Sequence, residues 1–365
     1  MNPLQQLGEL GQSIWYDYIT RDLLRSGELE RLIQEDGLRG MTSNPTIFEK
    51  AIAGSQLYDD DIRRLTELGR NPSEIFEALA VADVQKACDV FRPVYRETQG
   101  RDGLVSLEVS PRLAHDTEGT IHEAERLWNA VDRPNAMIKI PGTAAGLGAI
   151  THAIAAGINV NVTLLFSVVR YAEVIEAFLQ GLQRRLDQGL PLQPIASVAS
   201  FFVSRVDSKV DPLLNRSDDA GLRGTAAIAN AAQAYRLFRE AHDSDQWARL
   251  SRAGVAAQRP LWASTSTKDP RYPDVYYVEA LIGPDTVNTL PPETLEAYRD
   301  HGRPNVRIDR AMGDAPAQLA ALAHAGIDMA GITRELEDEG VAKFAASHAS
   351  VLAGIEAKAE TLVAR

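Results

Sequence analysis

The sequence predicts an α/β fold, a (β/α)8 TIM barrel with additional helices that include a C-terminal helical extension. Three observations carry this reading. Short apolar or β-branched runs alternate with longer amphipathic stretches, the signature of β–α units and of a parallel sheet covered by helices. Eight such runs in 365 residues favour a closed barrel over an open doubly wound sheet. No repeat, low-complexity tract or linker divides the chain, so residues 1–365 read as a single barrel domain.

The strands are expected at residues 14–19, 38–42, 104–109, 136–140, 159–165, 195–203, 261–265 and, more weakly, 286–290. Helical patterns fall at 23–33, in several segments across 62–98, and at 120–129, 146–156, 168–186, 224–241 and 272–281. About 48–103 separates the second and third strands and must hold several helices, because structureless loops of that length are rare. The segment 211–259 likewise holds more than one helix, and about 312–365 reads as a strandless helical appendage.

Composition narrows the function classes. Apolar residues at 45% and charged residues at 24% are ordinary for a soluble globular protein. A formal net charge of −12 argues against general nucleic-acid binding and against attraction to anionic membranes, so an anionic ligand would need a local cationic pocket. The single cysteine, Cys88, excludes an internal disulfide and a multi-cysteine zinc site. No basic segment followed by an apolar one opens the chain, and no uncharged stretch reaches membrane-spanning length. The expectation is a cytoplasmic protein.

Period-two reading of the strands finds polar sets sharing faces. Ser106, Glu108 and Ser110 align, as do Asn159, Asn161 and Thr163, then Gly40, Thr42 and Asn44, then Trp262, Ser264, Ser266 and Lys268. Parallel strands bury both faces, so these sets should point into the barrel, and the later residues of each strand towards the active end of such barrels. Lys139, within Ala136-Met137-Ile138-Lys139-Ile140, stands out. A charged amine in a buried strand is costly unless paired, exposed or engaged in chemistry. Burial favours the free amine, which attacks carbonyls to form Schiff bases; the bland alternative is a strand-end lysine that snorkels to solvent. Such chemistry also needs groups that move protons. Asp17, among aromatic residues, and Glu108, between Ser106 and Ser110, are the candidates. Each has a plain alternative: a helix cap for Asp17, and mere neutralisation of Lys139 for Glu108.

At this point the chain closely resembles the transaldolase family over nearly its whole length. The resemblance rests on Gly40-Met41-Thr42-Ser43-Asn44-Pro45-Thr46-Ile47-Phe48, Met137-Ile138-Lys139-Ile140-Pro141-Gly142-Thr143, Asn161-Val162-Thr163-Leu164-Leu165-Phe166-Ser167 and Ser200-Phe201-Phe202-Val203-Ser204-Arg205. The resemblance implies that Lys139 is the Schiff-base nucleophile and Asp17 the acid/base at carbon–carbon cleavage. Glu108 and Thr163 would hold and activate a water. Asn44 would bind the retained three-carbon unit, with Thr42, Ser106 and Asn161 in support; Ser200 would contact substrate and Phe202 would shape the pocket. Arg205 fits the family's phosphate arginine. A second arginine often follows strand seven in the family, but this chain has Ser264-Thr265-Ser266-Thr267-Lys268 there, so Lys268 would supply the second charge, and either Ser264 or Ser266 the phosphate hydrogen bond. The plain alternative for Lys268 is a loop lysine paired with Asp269.

The implied activity is transfer of a dihydroxyacetone unit between sugar phosphates, with no external cofactor because the imine itself takes up the developing carbanion's electrons. The C-terminal helices would shield the intermediate from water. Two alternatives stay open: a fructose-6-phosphate-type aldolase, whose members are shorter with glutamine and tyrosine at the positions of Glu108 and Phe202, and a non-catalytic sugar-phosphate-binding barrel. Other signals point elsewhere or nowhere. His115-Asp116 and His122-Glu123 lack metal-ligand spacing and read as caps and surface positions, so no metal is expected. The glycines of Gly142-Thr143-Ala144-Ala145-Gly146-Leu147-Gly148 fail the dinucleotide fingerprint but open a helix whose N–H groups could meet an anion. Acidic runs at 59–61 and 335–339 read as solvated faces. Oligomeric state leaves no mark in the sequence.

Overall fold

A computed structural model describes residues 2–214 and 220–363. The eight strands are β1 (Gln12–Asp17), β2 (Gly40–Thr42), β3 (Leu104–Glu108), β4 (Ala136–Pro141), β5 (Val160–Leu165), β6 (Ser197–Phe202), β7 (Arg259–Ala263) and β8 (Thr286–Leu290). Each pairs in parallel with the next, and β8 closes on β1. The parallel arrangement follows from the helical crossovers, which return the chain to the same end of the sheet before each new strand.

Two strands begin and end two residues earlier than the sequence pattern predicts. After β1 the chain must release Thr20, whose hydroxyl accepts from the Leu23 amide and caps the helix Arg21–Arg25. In β7 the opening Arg259 and Pro260 pair with Val198 and Ala199, although neither residue belongs to an apolar run. The helix expected over 23–33 is two, Arg21–Arg25 and Glu28–Glu35, because Gly27 between them adopts φ +85°. Between β2 and β3 lie the helices Pro45–Ala53, Asp59–Glu67 and Pro72–Glu97; the last opens on a capping box of Asn71 and Glu74 with Pro72 at its first turn.

The floor of the barrel is closed by a buried polar network. Arg259 donates to Ser13 Oγ at 2.8 Å, to Asp102 Oδ1 at 2.8 Å and to the Arg101 carbonyl at 2.6 Å. The indole of Trp15 and the hydroxyl of Ser13 donate to the same Asp102 carboxylate. Residue 40 must be glycine here, because a Cβ would lie 2.5 Å from the Trp15 ring. With this end filled, the open end is the one at which the strands finish.

After β8 come the helices Pro292–His301, Ile308–His324 and Met329–Val363. The last, 35 residues long, spans roughly 50 Å at 1.5 Å per residue and packs against Pro45–Ala53, Asp59–Glu67, Pro72–Glu97 and the helix Ser204–Leu214. Its buried stripe of Ile332, Leu336, Phe344, Val351 and Ile355 follows helical spacing. Gly340 allows close approach to the barrel, since a Cβ there would sit 3.0 Å from Leu164 of β5. The acidic runs lie largely on exposed faces, as expected, and also help to hold this helix: Asp59 meets Lys358 at 2.9 Å, and Glu335 and Glu339 both meet Lys209. These pairs are partly exposed and contribute orientation more than free energy. No helix among the described residues is long and apolar enough to cross a membrane.

Removing the anionic half of the floor network strands Arg259 in the interior. Asp102→Ala should lower the unfolding free energy by about 3–5 kcal/mol, read as a reduced urea midpoint. A loss below about 1 kcal/mol would mean that Arg259 finds other support.

Candidate active site

Strand alternation and register bring the chemistry together. Asp17 pairs with Thr42 across β1 and β2, Glu108 with Lys139 across β3 and β4, and Lys139 with Asn161 across β4 and β5. Neighbouring inward positions are therefore occupied by an aspartate, a glutamate and a lysine near the ends of their strands.

Lys139 is only 4% exposed. Its Nζ donates to the Ser43 carbonyl at 3.1 Å and lies 3.3 Å from Glu108 Oε2. The second contact brings opposite charges together without an aligned hydrogen bond: both Glu108 oxygens are buried and make no protein hydrogen bond, nor does the buried Thr163 hydroxyl. Buried acceptors of this kind are normally satisfied by water or ligand. Above the amine, the ring of Phe344 from the helix Met329–Val363 has its centre 5.7 Å from Nζ. Asp17 accepts from the Thr42 hydroxyl at 2.7 Å, and Thr42 in turn meets Thr289 at 2.7 Å.

Burial pushes both carboxyl groups upward. Glu108 is raised to about 7 by desolvation, against the opposing pull of Lys139. Asp17 is raised for the same reason, with Lys139 and the Thr42 hydrogen bond holding it back. Two carboxyl groups in different surroundings flank one amine, an arrangement that can accept and return protons near neutral pH.

A cavity of about 350 Å³ opens above these groups, lined by Asp17, Thr42, Asn44, Lys139, Thr163, Ser200 and Phe202 on its inner side. Asn44 also caps the helix Pro45–Ala53, its Oδ1 accepting from the Ile47 amide at 3.0 Å. Ser106 and Asn161 lie beneath the cavity without lining it. Ser200 donates to Asn161 and Asn161 to Ser106, so this pair props the floor of the site. Glu108 borders a second cavity between β3 and the helices Pro72–Glu97 and Thr117–Val131.

The outer side of the main cavity is cationic. Arg205, second residue of the helix Ser204–Leu214, stands 5.0 Å over the Phe202 ring, and burial holds its guanidinium below its usual range. Lys268 donates to Ser266 Oγ at 2.6 Å and not to Asp269, whose carboxylate meets Arg271 and Arg223. Ser264 and Ser266 both line the cavity, the first with its hydroxyl 3.1 Å from that of Ser204.

The reading of strand seven needs correction. Trp262 does not share a polar face with Ser264 and Ser266; it packs edge-to-face on Phe201 and donates to the Leu281 carbonyl, away from the cavity. β7 ends at Ala263, and Ser264 adopts φ +55°, which breaks the alternation and turns the following segment to the mouth. The glycine-rich stretch after β4 does not line the mouth either. Gly142 and Gly146 are required by packing, since a Cβ would lie 2.4 Å from Leu165 and 2.0 Å from the Pro141 carbonyl, respectively. Asp116 caps the helix Thr117–Val131 as expected.

Lys50, Lys343, Phe344, Tyr18 and Glu293 also line the cavity and were not singled out from the sequence. Lys50 lies in the insertion after β2, and Lys343 and Phe344 lie in the helix Met329–Val363, where no local motif marks them.

Fold and site together define a (β/α)8-barrel enzyme with a buried lysine between two carboxyl groups and a cationic rim. The family model described as transaldolase/fructose-6-phosphate aldolase matches residues 14–355. The chain is 51% identical over 359 residues to a transaldolase of Acidothermus cellulolyticus, covering 97% of this chain and 96% of that protein. It is 50% identical over 355 residues to a transaldolase of Thermobifida fusca, with 96% of each chain covered. It is 47% identical over 376 residues to transaldolase 2 of Nostoc sp., with 99% of each covered. The chain belongs to the transaldolase/fructose-6-phosphate aldolase family, and it is a transaldolase-type enzyme.

With burial raising its carboxyl to about 7, Glu108 should gain its negative charge as the pH rises through that range. The carboxylate is the form able to accept a proton from the neighbouring amine, so kcat/KM should rise through about pH 7. Glu108→Gln should remove that limb of the profile and reduce kcat by about 10²–10⁴. A variant that keeps both the limb and the rate would place the titrating group elsewhere.

Proposed function

We propose that this transaldolase acts through a Schiff base at Lys139, moving a dihydroxyacetone unit from sedoheptulose 7-phosphate or fructose 6-phosphate to glyceraldehyde 3-phosphate or erythrose 4-phosphate. The observation that carries this reading is a lysine nitrogen buried at a barrel mouth, 3.3 Å from Glu108, in the same cavity as Asp17.

The Lys139 nitrogen adds to the ketone carbon of the donor and gives a carbinolamine. The Glu108 carboxylate takes a proton from the nitrogen as it adds and, through a water held between it and the Thr163 hydroxyl, returns a proton to the departing hydroxyl; water leaves and a protonated imine remains. Asp17 takes the proton of the hydroxyl on the next carbon but one. The carbon–carbon bond breaks, its electron pair passes to the imine nitrogen, and an aldose departs, leaving an enamine on Lys139. The enamine carbon attacks the acceptor aldehyde, Asp17 returns its proton to the new hydroxyl, and hydrolysis of the imine frees the product. Electrons and protons balance within these residues and one water, so the steps need no external electron carrier.

Asn44 would hydrogen-bond the retained three-carbon unit, and Ser200 a substrate oxygen. Ser106 and Asn161 would act from below by fixing Ser200. Arg205 can fork onto the terminal phosphate, Lys268 adds a point charge, and the hydroxyls of Ser264 and Ser266 stand beside them. Transfer requires the enamine to outlast departure of the first aldose, which favours apolar cover near the nitrogen. Phe344 and Phe202 provide it.

Treatment with fructose 6-phosphate and borohydride should add a reduced three- or six-carbon unit to the Lys139-containing peptide by mass spectrometry. Lys139→Arg should show neither adduct nor turnover, since a guanidinium stays charged. Appreciable residual activity in that variant would remove Lys139 from the nucleophile role. Opening the cover by Phe344→Ala should raise the ratio of free dihydroxyacetone to transferred product several-fold, roughly in line with added water access. An unchanged ratio would show that the ring does not shield the intermediate.

A further inference from the structure

Besides Lys139, four cationic side chains among the described residues face the main cavity, each from a different segment: Lys50 from the helix Pro45–Ala53, Arg205 from Ser204–Leu214, Lys268 from the loop after β7, and Lys343 from Met329–Val363. Among the described residues none of the four lies within 4.0 Å of a carboxylate. The carboxylates that line the cavity are Asp17, hydrogen-bonded to Thr42, and Glu293. This rim therefore carries more positive charge than its surroundings neutralise.

Lys343 is the informative member, because several other charges along its helix have partners of opposite sign. Lys358 meets Asp59, while Glu335 and Glu339 meet Lys209 and Glu337 meets Arg170. Lys343 faces cations instead. Its amine is held below its ordinary range first by Arg205, then by partial burial, and then by Lys268 and Lys50. A group so placed is relieved by an anion brought into the rim. The next residue, Phe344, is buried over Lys139. Consecutive helical positions differ in direction by about 100°, so one turn of helix addresses both ends of the cavity. Phe344 covers the amine, and Lys343 joins the charges at the rim.

We propose that Lys343 is a third cation of the sugar-phosphate site, acting with Arg205 and Lys268 on the terminal phosphate, so that the helix Met329–Val363 selects phosphorylated substrates. This rests on the sugar-phosphate reading given above. A phosphate monoester dianion offers three outer oxygens, enough for the fork of Arg205 and two ammonium groups. The lysine also links recognition to cover: an anion that draws Lys343 inward keeps Phe344 over the imine.

The test uses Lys343→Ala and Lys343→Arg in the full chain. Inorganic phosphate serves as a competitive probe, with fructose 6-phosphate and unphosphorylated fructose compared as donors. Lys343→Ala should raise KM for fructose 6-phosphate and the inhibition constant of inorganic phosphate each by roughly tenfold, the scale of one partly screened charge contact. The value of kcat and the KM for fructose should move far less, and Lys343→Arg should recover most of the loss. Equal increases in KM for both donors would indicate a structural role and overturn the proposal. So would an inhibition constant for inorganic phosphate that does not move. Borohydride trapping separates the two levels of inference. An adduct on Lys139 alongside unmoved phosphate inhibition removes Lys343 alone. The absence of an adduct in the unaltered enzyme removes the underlying reading and this one with it.

Discussion

The contact between Lys139 and Glu108 is the constraint around which the barrel is organised. An ammonium and a carboxylate facing each other in the interior are each expensive to desolvate, and either one alone would be more costly still. The barrel supports them through register: adjacent parallel strands set residues 108 and 139 side by side, and the carbonyl of Ser43 accepts a hydrogen bond from the Lys139 nitrogen on the β2 side. Both oxygens of Glu108 stay without protein hydrogen bonds, which leaves them free to meet water or a ligand. Stability is recovered elsewhere, in the apolar shell between strands and helices and in the Arg259–Asp102 network at the opposite end.

A second organising feature is the distribution of charge. The chain carries a formal net charge of −12, yet its cavity is rimmed by Arg205, Lys268, Lys343 and Lys50. The acidic excess resides on the outer surfaces of helices, where it is solvated or paired. An anionic metabolite approaching this molecule thus finds attraction concentrated in one place, where low-dielectric walls strengthen it. The net charge read from composition describes the molecule as a whole, while the sign at the site had to be located residue by residue.

Much of the fold was legible because parallel barrel strands leave a strong local imprint. Alternation placed Lys139, Glu108, Thr163 and Asp17 on inward faces, and the interleaved helical patterns gave the topology. The pattern failed where local backbone geometry departs from it. Ser264 at φ +55° ends the alternation of β7, so Trp262 and Ser264, two positions apart in sequence, face different surroundings. It was also silent where partners are distant: Arg259 and Asp102 stand 157 positions apart and flank strands that look ordinary. Lys343 and Phe344 gave no sign for the same reason. A helix sequence shows which of its faces is apolar, but not which cavity that face will roof.

The amide of Asn44 shows how a local rule settles a question of recognition. Its oxygen accepts from the Ile47 N–H in the first turn of the helix Pro45–Ala53. Rotating the side chain end for end would forfeit this bond, so the NH₂ is held as the group left to donate elsewhere. A hydroxyl approaching that position meets a donor of fixed polarity and must present its lone pair. The start of a helix, a matter of backbone bookkeeping, thereby fixes the polarity of one point on the cavity wall.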